Sequence, residues 1–283
     1  FDTVFFPGCS LVSYAPDLTR RVGEWLTAAG FKWCMSDDCC GSPLMSAGLF
    51  DRAAAHRQKI FDQIKAAGIT RMVTVCPGCG EEFAELMAND IDIIPLPELI
   101  LERGREMEAE AGIAQRADGM PEDAAAAAAA AGLSPAAPGS VVVFDSCHDR
   151  HDGRHGRAIR GVFRRYMPQV EIREMDEHRK QTLCCGAGGA VAGYDPEITE
   201  RRVWRVIDEA RLTKAETLVT MCPTCTYTIA QANLGAEAGR GIDSHNYLEL
   251  FFGQTIDWAQ VFDQLGSMWT GEYGPWLNAT FFS

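Results

Sequence analysis

The chain has 283 residues, 47% of them hydrophobic, enough to bury sizeable cores and unlike a short disulfide-stapled scaffold. Its formal net charge of −13, from 26 basic and 39 acidic side chains, argues against nucleic acid or an anionic membrane surface as a partner. Eleven cysteines, with no run that reads as a signal peptide or a membrane span, point to reduced thiols in the cytoplasm or on the cytoplasmic face of a membrane-associated complex.

In chain order, Phe1–Phe6 reads as a short buried strand. A helix follows over Asp17–Ala29, with Leu18, Val22, Trp25, Leu26 and Ala29 at helical spacing. Phe31–Met35 reads as a second strand and Ala53–Ala67 as a helix with Ile60, Phe61 and Ile64 on one face. Met72–Val75 is a third strand, Glu81–Ala88 a helix and Ile91–Leu96 a last strand. The second half repeats the order: strand 141–144, helix 157–166, strand 169–173, helix 196–212, strand 217–221 and helix 225–234. Strands alternating with helices predict an α/β fold around mostly parallel sheets, in which sites gather at the carboxyl ends of strands.

Ten cysteines fall into a five-cysteine pattern that occurs twice. Cys9, Cys39-Cys40-Gly41 and Cys76-x-x-Cys79 are answered by Cys147, Cys184-Cys185-Gly186 and Cys222-x-x-Cys225. The flanks repeat as well: TVFFPGCS (3–10) answers VVVFDSCH (141–148), and AGITRMVTVCPGC (67–79) answers TKAETLVTMCPTC (213–225). This is a tandem duplication. A thioredoxin-like dithiol uses one CxxC and leaves Cys9 and Cys39-Cys40 idle. Thiolates are soft ligands for zinc, copper(I) or iron–sulfur centres. Zinc and a single cubane cluster each close with four ligands, so five thiolates per set favour a larger or unusual iron–sulfur centre.

The arrangement resembles the CCG-domain iron–sulfur family, and with two complete copies it looks most like the B component of heterodisulfide reductase and its bacterial relatives. The resemblance covers roughly 1–118 and 140–255. It implies two tandem duplicated α/β (Rossmann-like) CCG domains related by a pseudo-twofold, each holding a noncubane [4Fe–4S] cluster. Carried over, Cys9, Cys39, Cys40, Cys76 and Cys79 hold one cluster, and Cys147, Cys184, Cys185, Cys222 and Cys225 the other. The implied reaction is reduction of a disulfide that enters between the domains, with one electron from each cluster. The alternative is an electron-transfer subunit relaying electrons to quinone or a protein partner. This sequence departs from even duplication in the gap from Cys9 to Cys39, which is shorter than that from Cys147 to Cys184. It has no flavin or nicotinamide fingerprint and no ferredoxin-like cysteine run, so a ferredoxin-like iron–sulfur subunit and a flavoprotein donor are the expected partners.

The organisation expected is a first cluster-binding domain (1–118), an Ala/Pro-rich surface linker (119–139), a second cluster-binding domain (140–255) and an aromatic tail (256–283). The tail carries Trp258, Trp269, Tyr273, Trp276, Phe281 and Phe282, read as a strap over the protein's own core or a docking surface. Acidic residues of 102–123 read as part of a solvated linker. The loop with Gly186, Gly188, Gly189 and Gly193 fails the nucleotide template at Val191 and reads instead as close backbone approach to a cluster. His148, His151 and His155 read as polar loop residues, with His148 the candidate proton donor. Cys34, unmatched in the second copy, reads as a small buried hydrophobe.

Overall fold

A computed structural model describes residues 1–189, 191–272 and 274–275, with the side chains of 268 and 269 excepted. Tyr273, Trp276, Phe281 and Phe282 of the tail therefore lie outside the described residues, as does the side chain of Trp269.

The first half runs β1 (Thr3–Phe6), α1 (Cys9–Tyr14), α2 (Pro16–Ala28), β2 (Trp33–Met35), α3 (Ser42–Ser46), α4 (Phe50–Ala66), β3 (Arg71–Thr74), α5 (Pro77–Met87), β4 (Asp92–Pro95) and α6 (Leu96–Glu110). After α7 (Ala124–Ala130), the second half runs β5 (Ser140–Phe144), a 3-10 turn (Cys147–Asp149), α8 (Arg154–Tyr166), β6 (Glu171–Arg173), α9 (Val191–Tyr194), α10 (Pro196–Leu212), β7 (Thr217–Thr220), α11 (Pro223–Leu234), β8 (Asp243–Asn246) and α12 (Tyr247–Phe252); α13 (Trp258–Thr270) follows. Each half builds a four-stranded parallel sheet, in the order β2-β1-β3-β4 and β6-β5-β7-β8. The tandem α/β duplication is thus present in topology as well as in sequence.

Parallel strands buried on both faces need apolar residues at every position, and β1, β5 and β7 are buried throughout. Alternate side chains separate into different cores. Val4, Phe6 and Met72 point to one core beneath α4 and α5, and Val142, Phe144 and Leu218 to its counterpart beneath α10 and α11. The opposite faces, with Phe5, Val73, Val143 and Val219, meet in a single core shared by both halves, which also takes Trp25, Phe163 and Phe251. The repeats, read as separate domains in the sequence, are joined face to face through this layer.

The contacts between halves are reciprocal, as a twofold requires. Helix α1 packs on α11 while α5 packs on the turn after Cys147, and α2 packs on α12 while α6 packs on α8.

The Ala-rich segment is not the exposed linker that its Pro and Gly punctuation suggested. Asp123 caps α7 through the amides of Ala125 and Ala126. Ala127, Ala128, Ala131 and Leu133 are buried in the shared core, and Trp25 Nε1 donates to the Ala131 carbonyl at 2.8 Å. A side chain of one carbon lets a helix sit close against its neighbours, which is why composition alone misread it. Glu108, placed by its sequence neighbourhood in a solvated acidic stretch, is fully buried and receives Arg165 and the Tyr166 hydroxyl across the seam between halves.

Candidate functional site

Four cysteines follow strand ends directly: Cys9 after β1, Cys76 after β3, Cys147 after β5 and Cys222 after β7. The chain enters a helix or turn at each, with Cys76 and Cys222 capping α5 and α11 and proline at the first helical position. At Gly8, just before Cys9, φ is +83° and an added Cβ would stand 3.3 Å from Cys79 Sγ, so the close approach of backbone to thiol requires glycine there. The two Cys-Cys-Gly turns are built alike. Gly41 and Gly186 adopt φ of +82° and +85°, which turns each amide back onto the first thiol of its pair. Gly41 N lies 3.5 Å from Cys39 Sγ and Gly186 N 3.4 Å from Cys184 Sγ.

Nine of the ten paired cysteines line one cleft of about 260 Å³ between the halves. Cys39 stands just behind its wall, 3.9 Å from Cys9 Sγ. Cys185 and Cys225 approach to 3.1 Å. Cys76 and Cys222, each other's counterparts in the repeat, meet at 4.0 Å where the two sets adjoin. Cys34 stays apart: it pairs with Val4 in the sheet and packs, half-buried, against the first-half core. Gly188 and Gly189 line the cleft, as expected of a loop that approaches it by backbone; Gly193 is outside the lining.

Among the described residues the cleft lining contains no Lys, Arg, Asp or Glu. The thiols therefore answer chiefly to one another. Cys40 is lowered to about 4 by hydrogen bonds from Cys39 and Cys79. Cys222 is held well below the ordinary thiol range by Cys225 and Cys76, with help from amides at the start of α11. Cys9 and Cys147 are pushed up by the thiols beside them, Cys39 and Cys184, and by burial. So dense a set of soft donors, with amides but no side-chain cations to balance it, fits a cationic metal core. Among the described residues no three metal-ligating side chains converge on one ion position. They are spread around the cleft wall instead.

His148 reaches across to the first half. Its Nδ1 is 2.5 Å from Glu81 Oε2, and its ring covers Gly78, where an added Cβ would stand 3.3 Å away. The pair spans two halves, so neither sequence neighbourhood announces it. The corresponding contact on the other side is smaller: Ser10 Oγ and Thr224 Oγ1 at 3.5 Å. There Tyr14 donates to the Pro223 carbonyl at 2.6 Å and stacks with Tyr227 and Trp258, which accounts for Trp258 as a strap over the protein's own core. His151 is an exposed turn residue as expected, but His155 is buried within α8 and belongs to no loop.

Among the described residues no helix is long and apolar enough to cross a membrane. A family profile for the cysteine-rich (CCG) domain matches residues 3–84 and 141–230. The B component of a fumarate reductase (CoM/CoB) from Methanothermobacter marburgensis is 24% identical over 87% of this chain and 45% of its own length. The D component of the dihydromethanophenazine:CoB–CoM heterodisulfide reductase of Methanosarcina acetivorans is 28% identical over 78% of this chain and 52% of its own. An uncharacterised iron–sulfur protein of Methanococcus maripaludis is 24% identical over 80% of this chain and 40% of its own. The chain thus spans about half the length of these relatives or less. With the profile covering both repeats and nine of their ten thiols lining a shared cleft, the chain belongs to the cysteine-rich CCG domain family of iron–sulfur proteins.

Proposed function

We propose that this chain is the disulfide-reducing subunit of a multi-subunit oxidoreductase of the heterodisulfide reductase kind. The observation that carries the reading is that nine of the ten paired cysteines, four from the first set and five from the second, line one cleft and that the sets meet at the Cys76–Cys222 contact. Cys9, Cys39, Cys40, Cys76 and Cys79 would hold one noncubane [4Fe–4S] cluster, and Cys147, Cys184, Cys185, Cys222 and Cys225 the second. Two such clusters supply two one-electron donors facing one substrate. The chain's own residues shape the space between them: the Cys-Cys-Gly turns fix the thiol positions, and a lining of thiols, glycines and uncharged hydroxyls would leave the space free of competing charged side chains. His148, which contacts Glu81 at the cleft wall, would be the side chain to hydrogen bond a departing sulfur. Electrons would come from a ferredoxin-like iron–sulfur subunit fed by a flavoprotein, in the cytoplasm or on a cytoplasm-facing complex.

The test is anaerobic. Purified protein should be brown and hold about eight irons per chain; stoichiometric zinc with negligible iron rejects the reading. Dithionite-reduced protein should then be reoxidised by a member of a panel of low-molecular-weight heterodisulfides. Reoxidation by a quinone analogue or a protein acceptor, and by none of the disulfides, makes the chain a relay instead.

A further inference from the structure

Beside the cleft, on the far side of the His148 ring, a second cavity of about 390 Å³ runs between α5 and the segment from His148 to α8. At its inner end are two buried polar groups, Thr74 Oγ1 and His155 Nε2, with no hydrogen-bond partner among the described residues. Thr74 is fully buried and His155 only 4% exposed. At its outer end stand exposed Glu85, His151 and Asp152. The repeat explains how the space arose. Thr220 is the counterpart of Thr74, and its hydroxyl is partnered by Thr226 at 2.6 Å, which in turn receives Asn246 Nδ2. In the first half Gly80 stands where Thr226 would, and Pro95 pairs with Thr74 where Asn246 pairs with Thr220. The two partners are lost and a hollow is left in their place.

Buried polar groups are almost always partnered by protein or by ordered water, and a polar hollow of this size has room for several waters at about 30 Å³ each. We propose that this groove is a water-filled inlet that supplies protons to the His148 wall of the thiol-lined cleft. The inference rests on the disulfide-reducing reading. Breaking one S–S bond takes two electrons, from the clusters recharged by the electron-donating partner, and two protons, giving two thiols. Among the described residues of the cleft lining, His148 is the one titratable side chain besides the thiols themselves, and it is shared with the groove. The groove brings solvent to the opposite face of the His148–Gly78 wall.

The decisive variant is Gly80→Thr, which rebuilds the second-half arrangement and fills the inner end; an added Cβ there already stands 3.3 Å from Thr74 Oγ1. With a viologen donor, disulfide turnover should fall about tenfold and its solvent deuterium effect should rise. Iron content and the rate of reduction by dithionite should not change. Ala84→Phe, at an exposed position one turn along α5, narrows the same groove and should act in the same direction if Gly80→Thr fails to load iron. A substrate-free arm uses Thr74→Val. In a hydrated groove it leaves Tm unchanged or lower, whereas in a dry one removing an orphaned hydroxyl raises Tm. A raised Tm, or wild-type turnover and isotope effect in the groove-filling variants, overturns the inlet alone. A wild-type protein that turns over no disulfide overturns the functional reading and the inlet's purpose with it.

Discussion

The two seams between the halves are related by the pseudo-twofold and have been furnished in opposite ways. The seam where α5 and α6 meet the His148 turn and α8 is ionic. His148–Glu81, Arg154–Glu98 at 2.9 Å and the Glu108–Arg165–Tyr166 cluster cross it in succession, and a groove runs along it. The seam where α1 and α2 meet α11 and α12 is aromatic and closed. Tyr14, Tyr227, Trp258 and Phe262 pack together there, and Arg21 lies over the Phe252 ring at 5.4 Å. The Cys-Cys-Gly turns, by contrast, hardly differ between copies. Duplication has kept the backbone of these turns and released the flanks, although Cys39 stands behind the cleft wall where its counterpart Cys184 lines it.

The largest effect tests the symmetric part. Cys40→Ser and Cys185→Ser should each remove about half the iron and abolish disulfide turnover, and the double variant should be no less active than either single one, as for groups acting as a unit. Iron and sulfide analysis with anaerobic assays checks this. Cys34→Ser should leave iron unchanged, and iron loss there would place that thiol in the ligand set.

The ionic seam should then prove fragile to half-removal. Glu108→Ala strands Arg165 in the buried layer and should lower stability by about 3–5 kcal/mol in denaturant titrations. A loss near that of an exposed pair would show that the seam is wet and loose.

Acid should act on the same seam. Burial lowers His155 to about 4, so it stays neutral when folded while its unfolded form takes up a proton near 6.5. The unfolded state therefore binds more protons between those values, and stability falls as pH drops through that window. From pH 7 to pH 5 the share due to His155 should be about 2 kcal/mol, read as the difference from His155→Leu because the raised Asp149 and His245 act in the opposite sense. His155→Leu should flatten this part of the pH profile; an unchanged profile would assign the acid sensitivity elsewhere.

The smallest effect belongs to the closed seam. Tyr14→Phe removes the bond to the Pro223 carbonyl but keeps the stacking, and should cost about 1 kcal/mol with iron content intact. Loss of iron would mean that the aromatic seam also positions Cys222.

Much of this was legible because parallel strands write themselves as apolar runs. The strands ahead of Cys9, Cys76, Cys147 and Cys222 lie within a residue or two of where the patterning puts them, and their cysteines fall on the carboxyl edge. Strand β8, Asp243–Asn246, escaped because it is polar; Asp243 and His245 serve local hydrogen bonds, with His245 between Asp243 and Glu249. The burial of helix α7 escaped because an alanine run carries no amphipathic signal, although smallness is what admits it to the shared core. The His148–Glu81 and Glu108–Arg165 pairs escaped because their partners lie 67 and 57 residues apart. Periodicity reports on one element at a time, whereas these contacts exist only once two halves have met.

The 4.0 Å approach of Cys76 to Cys222 bears on ancestry. Equivalent positions of a repeat touch each other only on the rotation axis that relates them. Before the genes fused, that axis ran between two copies of a single half-length polypeptide, each offering the same cysteine to its twin. A lone half would leave bare the apolar face now shared by the two sheets, so each half needs the other to bury it, and joining them in one chain gives the cleft's two walls the freedom to differ.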